Sequence, residues 1–160
     1  MSSSESLPRR LPGWLILMGA LTAIGPFSTD MYLPAFPAMA EGLHTTLGEI
    51  ERTLAIYLVG LALSQMVYGS LADRYGRKRP LIGGLALYTL SSIGCALAGD
   101  VHVLLACRVL QALGAAAGMV VPRAVVRDHY ATQGAARALS MMMLVMGLAP
   151  ILAPLAGGQL

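Results

Sequence analysis

Apolar positions along the chain gather into stretches long enough to cross a bilayer, with polar and charged residues collected between them. A spanning helix needs roughly 20 mostly apolar residues, and the pattern predicts about five of them. They are expected over residues 11–36, 54–72, 80–98, 101–126 and 138–160. The expected fold is all-α, an integral membrane helical bundle occupying residues 11–160 behind a short tail, 1–10. Backbone polar groups in lipid must be satisfied within the segment, which is what a helix does.

A cleaved leader is the rival reading of the start, since Arg9 and Arg10 precede an apolar run and Ala38-Met39-Ala40 has a small-x-small form. Leader cores run about 7 to 15 residues. The stretch here is longer and is interrupted by Asp30 and several prolines, so it is read as the first transmembrane helix.

Composition agrees with a bilayer as solvent: 56% of residues are hydrophobic, 12% are charged and the mean hydropathy is +0.68. A soluble domain cannot cover its surface with so few polar groups. The formal net charge of +3 is explained by position. Arg9 and Arg10, then Arg74, Arg77, Lys78 and Arg79, then Arg123, Arg127 and Arg137 fall in alternate connections. The intervening connections hold Glu41, His44, Glu49, Glu51, Asp100 and His102, with Arg52 as their single basic residue apart from the histidines. Lysine and arginine stay on the cytoplasmic side, so the N-terminus is expected inside and nucleic-acid binding drops out. Cys95 and Cys107 have no CxxC spacing and read as small buried hydrophobes, with no metal site expected. No nucleophile–base set, HExxH or phosphate-loop pattern is present, which argues against an enzyme, an ATP-driven pump or a cofactor.

The most specific segment is Gly69-Ser70-Leu71-Ala72-Asp73-Arg74-Tyr75-Gly76-Arg77-Lys78-Arg79-Pro80. Gly69 lets neighbouring helices approach closely, Gly76 accepts a positive φ, and Pro80 suits the first turn of a helix. Asp73 beside several cations can stay ionised and form charge-assisted hydrogen bonds. On physics alone this is equally an ordinary basic loop. The full string resembles the motif between helices two and three of the major facilitator superfamily. That resemblance implies a conformational latch of Gly69, Asp73, Gly76 and Arg77, with Asp128 at the end of helix four as the third charged member. It would hold the N-terminal half against the C-terminal half.

Two ionisable residues lie within apolar spans, where they are costly and functional by default. Arg108 cannot lose its charge, so it must face a polar cavity or a partner; otherwise it snorkels to the outer interface. Gln111 is three residues on and shares its helix face, and Gly114 and Gly118 form a small-xxx-small strip. The stretch from Leu105 to Ala115 resembles the family's helix-four R-x-x-Q motif, which implies a part in proton transfer. Asp30 precedes Met31-Tyr32-Leu33-Pro34-Ala35-Phe36-Pro37, where prolines free carbonyls toward a cavity. A carboxyl there can take up a proton or a cation in turn; the alternative is an outer-interface aspartate in water. The string Ser28 to Pro37 resembles the Bcr/CflA drug-resistance branch, which implies coupling and substrate recognition at Asp30. Thr22 stands where some relatives carry another acid.

Weaker signals complete the set. Tyr57, Gly60, Ser64, Gln65 and Tyr68 recur at helical spacing and read as a packing stripe or a cavity lining. Met141, Met142, Met143 and Met146 read as filler or as an adaptable binding surface. Gly147, Pro150, Pro154, Gly157 and Gly158 resemble a departed form of the family's helix-five antiporter motif, which implies a bent helix that hinders proton leakage.

The resemblance implies a proton-coupled exporter of small amphipathic drugs, working by alternating access in a bacterial inner membrane; metabolite or nutrient transport, or an inactive membrane remnant, are the alternatives. Transporters of this kind pair two six-helix halves around a midplane site. The chain is therefore expected to be an N-terminal fragment, inactive without its C-terminal half, with protons, a small-molecule substrate and the lipid bilayer as partners.

Overall fold

The computed structural model describes residues 12–148 and residue 150, and the regular structure among them is entirely helical. Helix α1 spans Gly13–Asp30 and contains Pro26, whose ring removes one helical N–H and crowds the turn before it. The α geometry lapses after Asp30 and resumes through a 3₁₀ turn, Leu33–Ala35, into α2, Phe36–Gly42. The first crossing segment thus runs on to Gly42, past the expected end at residue 36, and changes winding in the middle. Pro34 and Pro37 sit near the starts of the two short pieces, where a missing N–H costs little.

Helix α3 spans Leu47–Tyr75 and starts at Leu47 rather than Leu54. The Thr46 hydroxyl accepts from the Glu49 backbone N–H at 3.3 Å, a Thr-x-x-Glu cap that lets polar residues begin the helix outside the apolar zone. Glu49 and Arg52 then pair at 2.7 Å on that first exposed turn. Gly76, at φ +79, makes the sharp link to α4, Lys78–Ala96. Asp100 caps α5, Val101–His129, by accepting from the His102 N–H. Helix α6, Thr132–Met146, begins before the expected Ala138, and the far part of that expected span, residue 149 and residues 151–160, lies outside the described residues.

Helix α5 is the axis of the bundle and packs against α4, α3, α1 and α6. Its small residues allow this. A Cβ on Gly114 would meet the Tyr88 backbone N and come within 2.6 Å of the Gly84 carbonyl on α4. One on Gly118 would stand 2.9 Å from the Leu21 carbonyl on α1. The Gly114–Gly118 ridge therefore wedges between two helices, with one glycine serving each contact. Around it, Ala112, Ala115 and Ala116 pack with Tyr57 and Leu61 of α3. Leu15, Val126, Ala138 and Met142 close the bundle toward its basic end, and Tyr32, Phe36, Ile50 and Leu104 toward the other.

The outward faces are apolar: Met66 is 77% exposed and Leu97 80%, with Leu63, Leu90 and Leu144 also exposed. Polar side chains such as Thr53, Ser64, Arg108 and Gln111 are instead buried. A surface of this kind belongs in lipid. Three segments, Gly13–Gly42, Leu47–Tyr75 and Val101–His129, are long and apolar enough to cross a membrane, and α4 and the shorter apolar α6 complete a helical membrane bundle.

Candidate functional site

Arg108 sits on the second turn of α5, 4% exposed, so it does not snorkel to an interface but points into the bundle. Its Nη1 donates to Gln111 Oε1 at 2.9 Å, and the Gln111 amide donates to Ser92 Oγ of α4 at 2.8 Å. Ser92 in turn donates to the Tyr88 carbonyl at 2.7 Å. The i, i+3 spacing of Arg108 and Gln111 brings the first two together; the serine comes from a different helix.

The guanidinium is otherwise held by rings. Its central carbon lies 3.4 Å from the centroid of Tyr32 and 5.4 Å from that of Tyr57. Aromatic faces attract a cation through their quadrupole, most strongly where water is excluded. No carboxylate lies within ion-pair distance of Arg108 among the described residues, and its Nε has no hydrogen-bond partner there. The Tyr57 hydroxyl, fully buried, is equally without one. A buried charge with so little compensation is expensive, the usual mark of a site kept for a purpose other than stability.

Asp30 closes α1, half-buried, where the helix changes winding. Its described side-chain contact is with Thr29 Oγ1, 3.4 Å from Oδ1, but the single Thr29 hydroxyl proton goes to the Pro26 carbonyl at 2.7 Å. Asp30 is linked to Arg108 through the chain, by way of the Tyr32 ring two residues on, and the two are not an ion pair. Beside them Ser28 Oγ and Tyr88 Oη share a hydrogen bond of 2.6 Å, joining α1 to α4.

A second charged group lies at the basic end. Arg77 donates through Nη1 to Asp73 Oδ1 at 2.8 Å and through Nε to Asp128 Oδ2 at 2.9 Å. Gly76 turns the chain so that Arg77 reaches both, one acid on the last turns of α3 and the other at the end of α5. The Asp128 hydrogen bond, followed by that from Asp73, pushes the guanidinium above its ordinary value. Both acids are largely exposed, so each pair is worth only about 0.2–1 kcal/mol. Gly69 has nothing within 4 Å of a would-be Cβ, so it serves no close helix contact among the described residues. It lines a groove of about 360 Å³ with Asp73, Arg77, Arg123, Arg127 and Asp128.

The weaker candidates separate. Tyr57 packs in the core with its ring beside Arg108, and Ser64 turns its hydroxyl back to the Gly60 carbonyl. Gln65 is half-buried beside it. Thr22 is buried and bonds the Met18 carbonyl at 2.9 Å, while bordering a 170 Å³ cavity with Arg123, Arg127, Met142, Met143 and Met146. Met142 is core, whereas Met143 is exposed and Met141 half-buried. Gly147 follows α6 directly and Pro150 is exposed; Pro154, Gly157 and Gly158 lie outside the described residues. Tyr32, Ser92, Tyr88 and Ser28 were not singled out by sequence reasoning for this site. Ser28 and Tyr32 carry one signal, their place in the string from Ser28 to Pro37 around Asp30.

Comparison with known proteins agrees with this architecture. The chain is 38% identical over 144 residues to an uncharacterized MFS-type transporter, YdgK, of Bacillus subtilis, covering 90% of the chain and 36% of that protein. It is 37% identical over 150 residues to a chloramphenicol resistance protein of Pseudomonas aeruginosa, covering 91% and 36%. To the multidrug resistance protein MdtL of Escherichia coli it is 36% identical over 144 residues, covering 90% and 37%. The chain thus spans little more than a third of the length of these relatives. The sequence profile of the Major Facilitator Superfamily matches residues 18–160, and with these relatives and a helical membrane bundle the chain belongs to that superfamily.

Proposed function

We propose that this chain is the N-terminal part of a proton-coupled exporter of small amphipathic drugs, of the Bcr/CflA type, set in a bacterial inner membrane with its N-terminus cytoplasmic. The carrying observation is the separation of Arg108 from every carboxylate among the described residues while Asp30, two residues before the Tyr32 ring that carries Arg108, is half-buried and lightly held at the break in the first segment. An antiporter needs an acid that exchanges its proton for a substrate, and a fixed cation nearby that favours deprotonation when the two approach. Asp30 supplies the first and Arg108 the second. Gln111 holds the guanidinium at its place in the cycle. The printed names of two relatives, chloramphenicol resistance and multidrug resistance, support drugs as the substrate class.

The Asp73–Arg77–Asp128 group acts in this scheme as a latch at the cytoplasmic face, engaged in one conformation and released in the other. The remaining helices of the transporter supply the opposite wall of the substrate cavity and the surface against which the latch closes. Efflux of a fluorescent cationic dye and of chloramphenicol, measured in cells expressing the full-length transporter with and without a protonophore, tests the reading. Protonophore-sensitive efflux that Asp30→Asn abolishes at unchanged membrane yield is expected. Equal efflux in the variant removes Asp30 from the mechanism, and no efflux of either probe by the parent overturns the drug assignment in favour of metabolite transport.

A further inference from the structure

We propose that Tyr32 is a positioning residue for Arg108: its ring face is the seat that holds the buried guanidinium, which pairs with no carboxylate among the described residues. The sequence explains how the ring gets there. Tyr32 lies in the link between Asp30, the last residue of α1, and the 3₁₀ turn at Leu33, and it is itself in helical conformation, so the chain turns the side chain inward before Pro34.

The ring is then fixed from three directions. Its face carries Arg108 of α5, with the guanidinium carbon 3.4 Å from the centroid. The ring also meets Phe36 of α2 in a T-shaped contact, 5.2 Å between centroids. Its hydroxyl lies 2.6 Å from Thr53 Oγ1 of α3. Thr53 is also bonded at 2.7 Å to the Ile50 carbonyl, which can only accept, so the threonine proton is committed there. The Tyr32 hydroxyl is therefore the donor to Thr53, which ties the far end of the ring to α3.

This arrangement has a functional consequence that rests on the transport reading above. Arg108 makes one hydrogen bond to a neutral amide, has an orphan Nε and has no acid partner among the described residues. The aromatic face supplies attraction without supplying a second carboxylate. Asp30, two residues before the ring in the chain, is thereby left free for a proton or a substrate cation. Any movement of the link after Asp30 also moves the seat of Arg108, so the acid and the cation respond to one backbone segment.

The test uses the full-length transporter with Tyr32→Phe, Tyr32→Leu and Thr53→Val, and a thermal-stability cycle of Tyr32→Leu with Arg108→Met in detergent. Phenylalanine keeps the ring face, so transport within about twofold of the parent is expected, against a loss of roughly tenfold or more for leucine, the order of a desolvated cation–π contact. Thr53→Val removes the hydroxyl's acceptor but keeps the ring face on Arg108, so it is expected to group with phenylalanine rather than with leucine. In the cycle, most of the Tm loss caused by Tyr32→Leu should vanish once Arg108 is methionine, because the leucine then has no cation to abandon. Equal transport by the leucine and phenylalanine variants, or an additive cycle, overturns the proposal. If Tyr32→Leu does not reach the membrane, Tyr32→Met takes its place with the same two criteria. The Tm cycle decides the role of Tyr32 even where no proton-driven transport is found, so failure of the transport reading and failure of this inference are distinguishable.

Discussion

Arg77 Nε donates to Asp128 Oδ2 at 2.9 Å, joining the turn after α3 to the end of α5 across 51 positions of sequence. Arg77 also holds Asp73 at 2.8 Å, so one guanidinium ties three points of the bundle's basic end. The linkage is multiple but exposed, which suits a contact that forms and breaks rather than one that stabilises.

Asp73→Asn and Asp128→Asn should each lower the maximal rate of efflux several-fold, on the order of the 0.2–1 kcal/mol that an exposed pair contributes. Substrate affinity should be largely kept and Tm almost unchanged. Transport kinetics separating rate from KM check this, and a selective loss of affinity contradicts the latch. The partners push the Arg77 guanidinium upward, so its share of stability is complete below the ordinary arginine range and is lost only as pH rises through the still higher folded value. Across physiological pH Arg77 therefore remains charged.

Asp30→Asn should abolish proton-driven efflux while leaving membrane yield intact, because an amide cannot exchange a proton at neutral pH. Arg108→Ala should lose coupling as well. Efflux along an imposed pH gradient in vesicles is the readout; if Arg108→Ala lowers only the yield, its role is structural.

Gln111→Leu removes the described acceptor of Arg108 Nη1 and also the donor to Ser92. Stripping a buried polar group of its partner costs about 1–3 kcal/mol, and more where a charge is involved. A clear fall in Tm in detergent is expected, and Gln111→Glu, which supplies a carboxylate, should restore Tm while impairing coupling.

Two glycines of similar appearance in sequence should behave oppositely. Gly114→Ala drives a methyl into the backbone of α4 at Tyr88 and Gly84, where nothing flexible can yield. A loss of about 1–3 kcal/mol or more is expected from such overpacking. Gly69→Ala meets nothing within 4 Å among the described residues and should leave Tm unchanged. A fall in transport in Gly69→Ala at constant Tm would show that its face is used by the rest of the transporter, with the groove beside Arg123 and Arg127 as the seat.

The helical content, the membrane character and the turn carrying Asp73, Gly76 and Arg77 were legible in the sequence because each depends on residues close together in the chain. Runs of apolar residues report their own solvent, and the i, i+3 and i, i+4 neighbours Arg108–Gln111 and Asp73–Arg77 are fixed by helical geometry alone. Helix ends were less legible, since Thr46 caps α3 ahead of its apolar stretch and the first segment continues past its prolines to Gly42. A hydropathy pattern does not register hydrogen bonds that begin a helix in polar sequence.

What only the tertiary structure decided is who meets the buried charge. Tyr32 and Tyr57 come to Arg108 from two different segments and Ser92 comes to its partner Gln111 from a third, while Asp30, the partner that charge alone suggests, does not pair with it. Chain-local rules determine that an arginine in an apolar helix must be compensated. The choice among an acid, an amide and an aromatic face depends on how α1, α3 and α4 pack around the small residues of α5, and that packing is set by steric fit between helices distant in sequence.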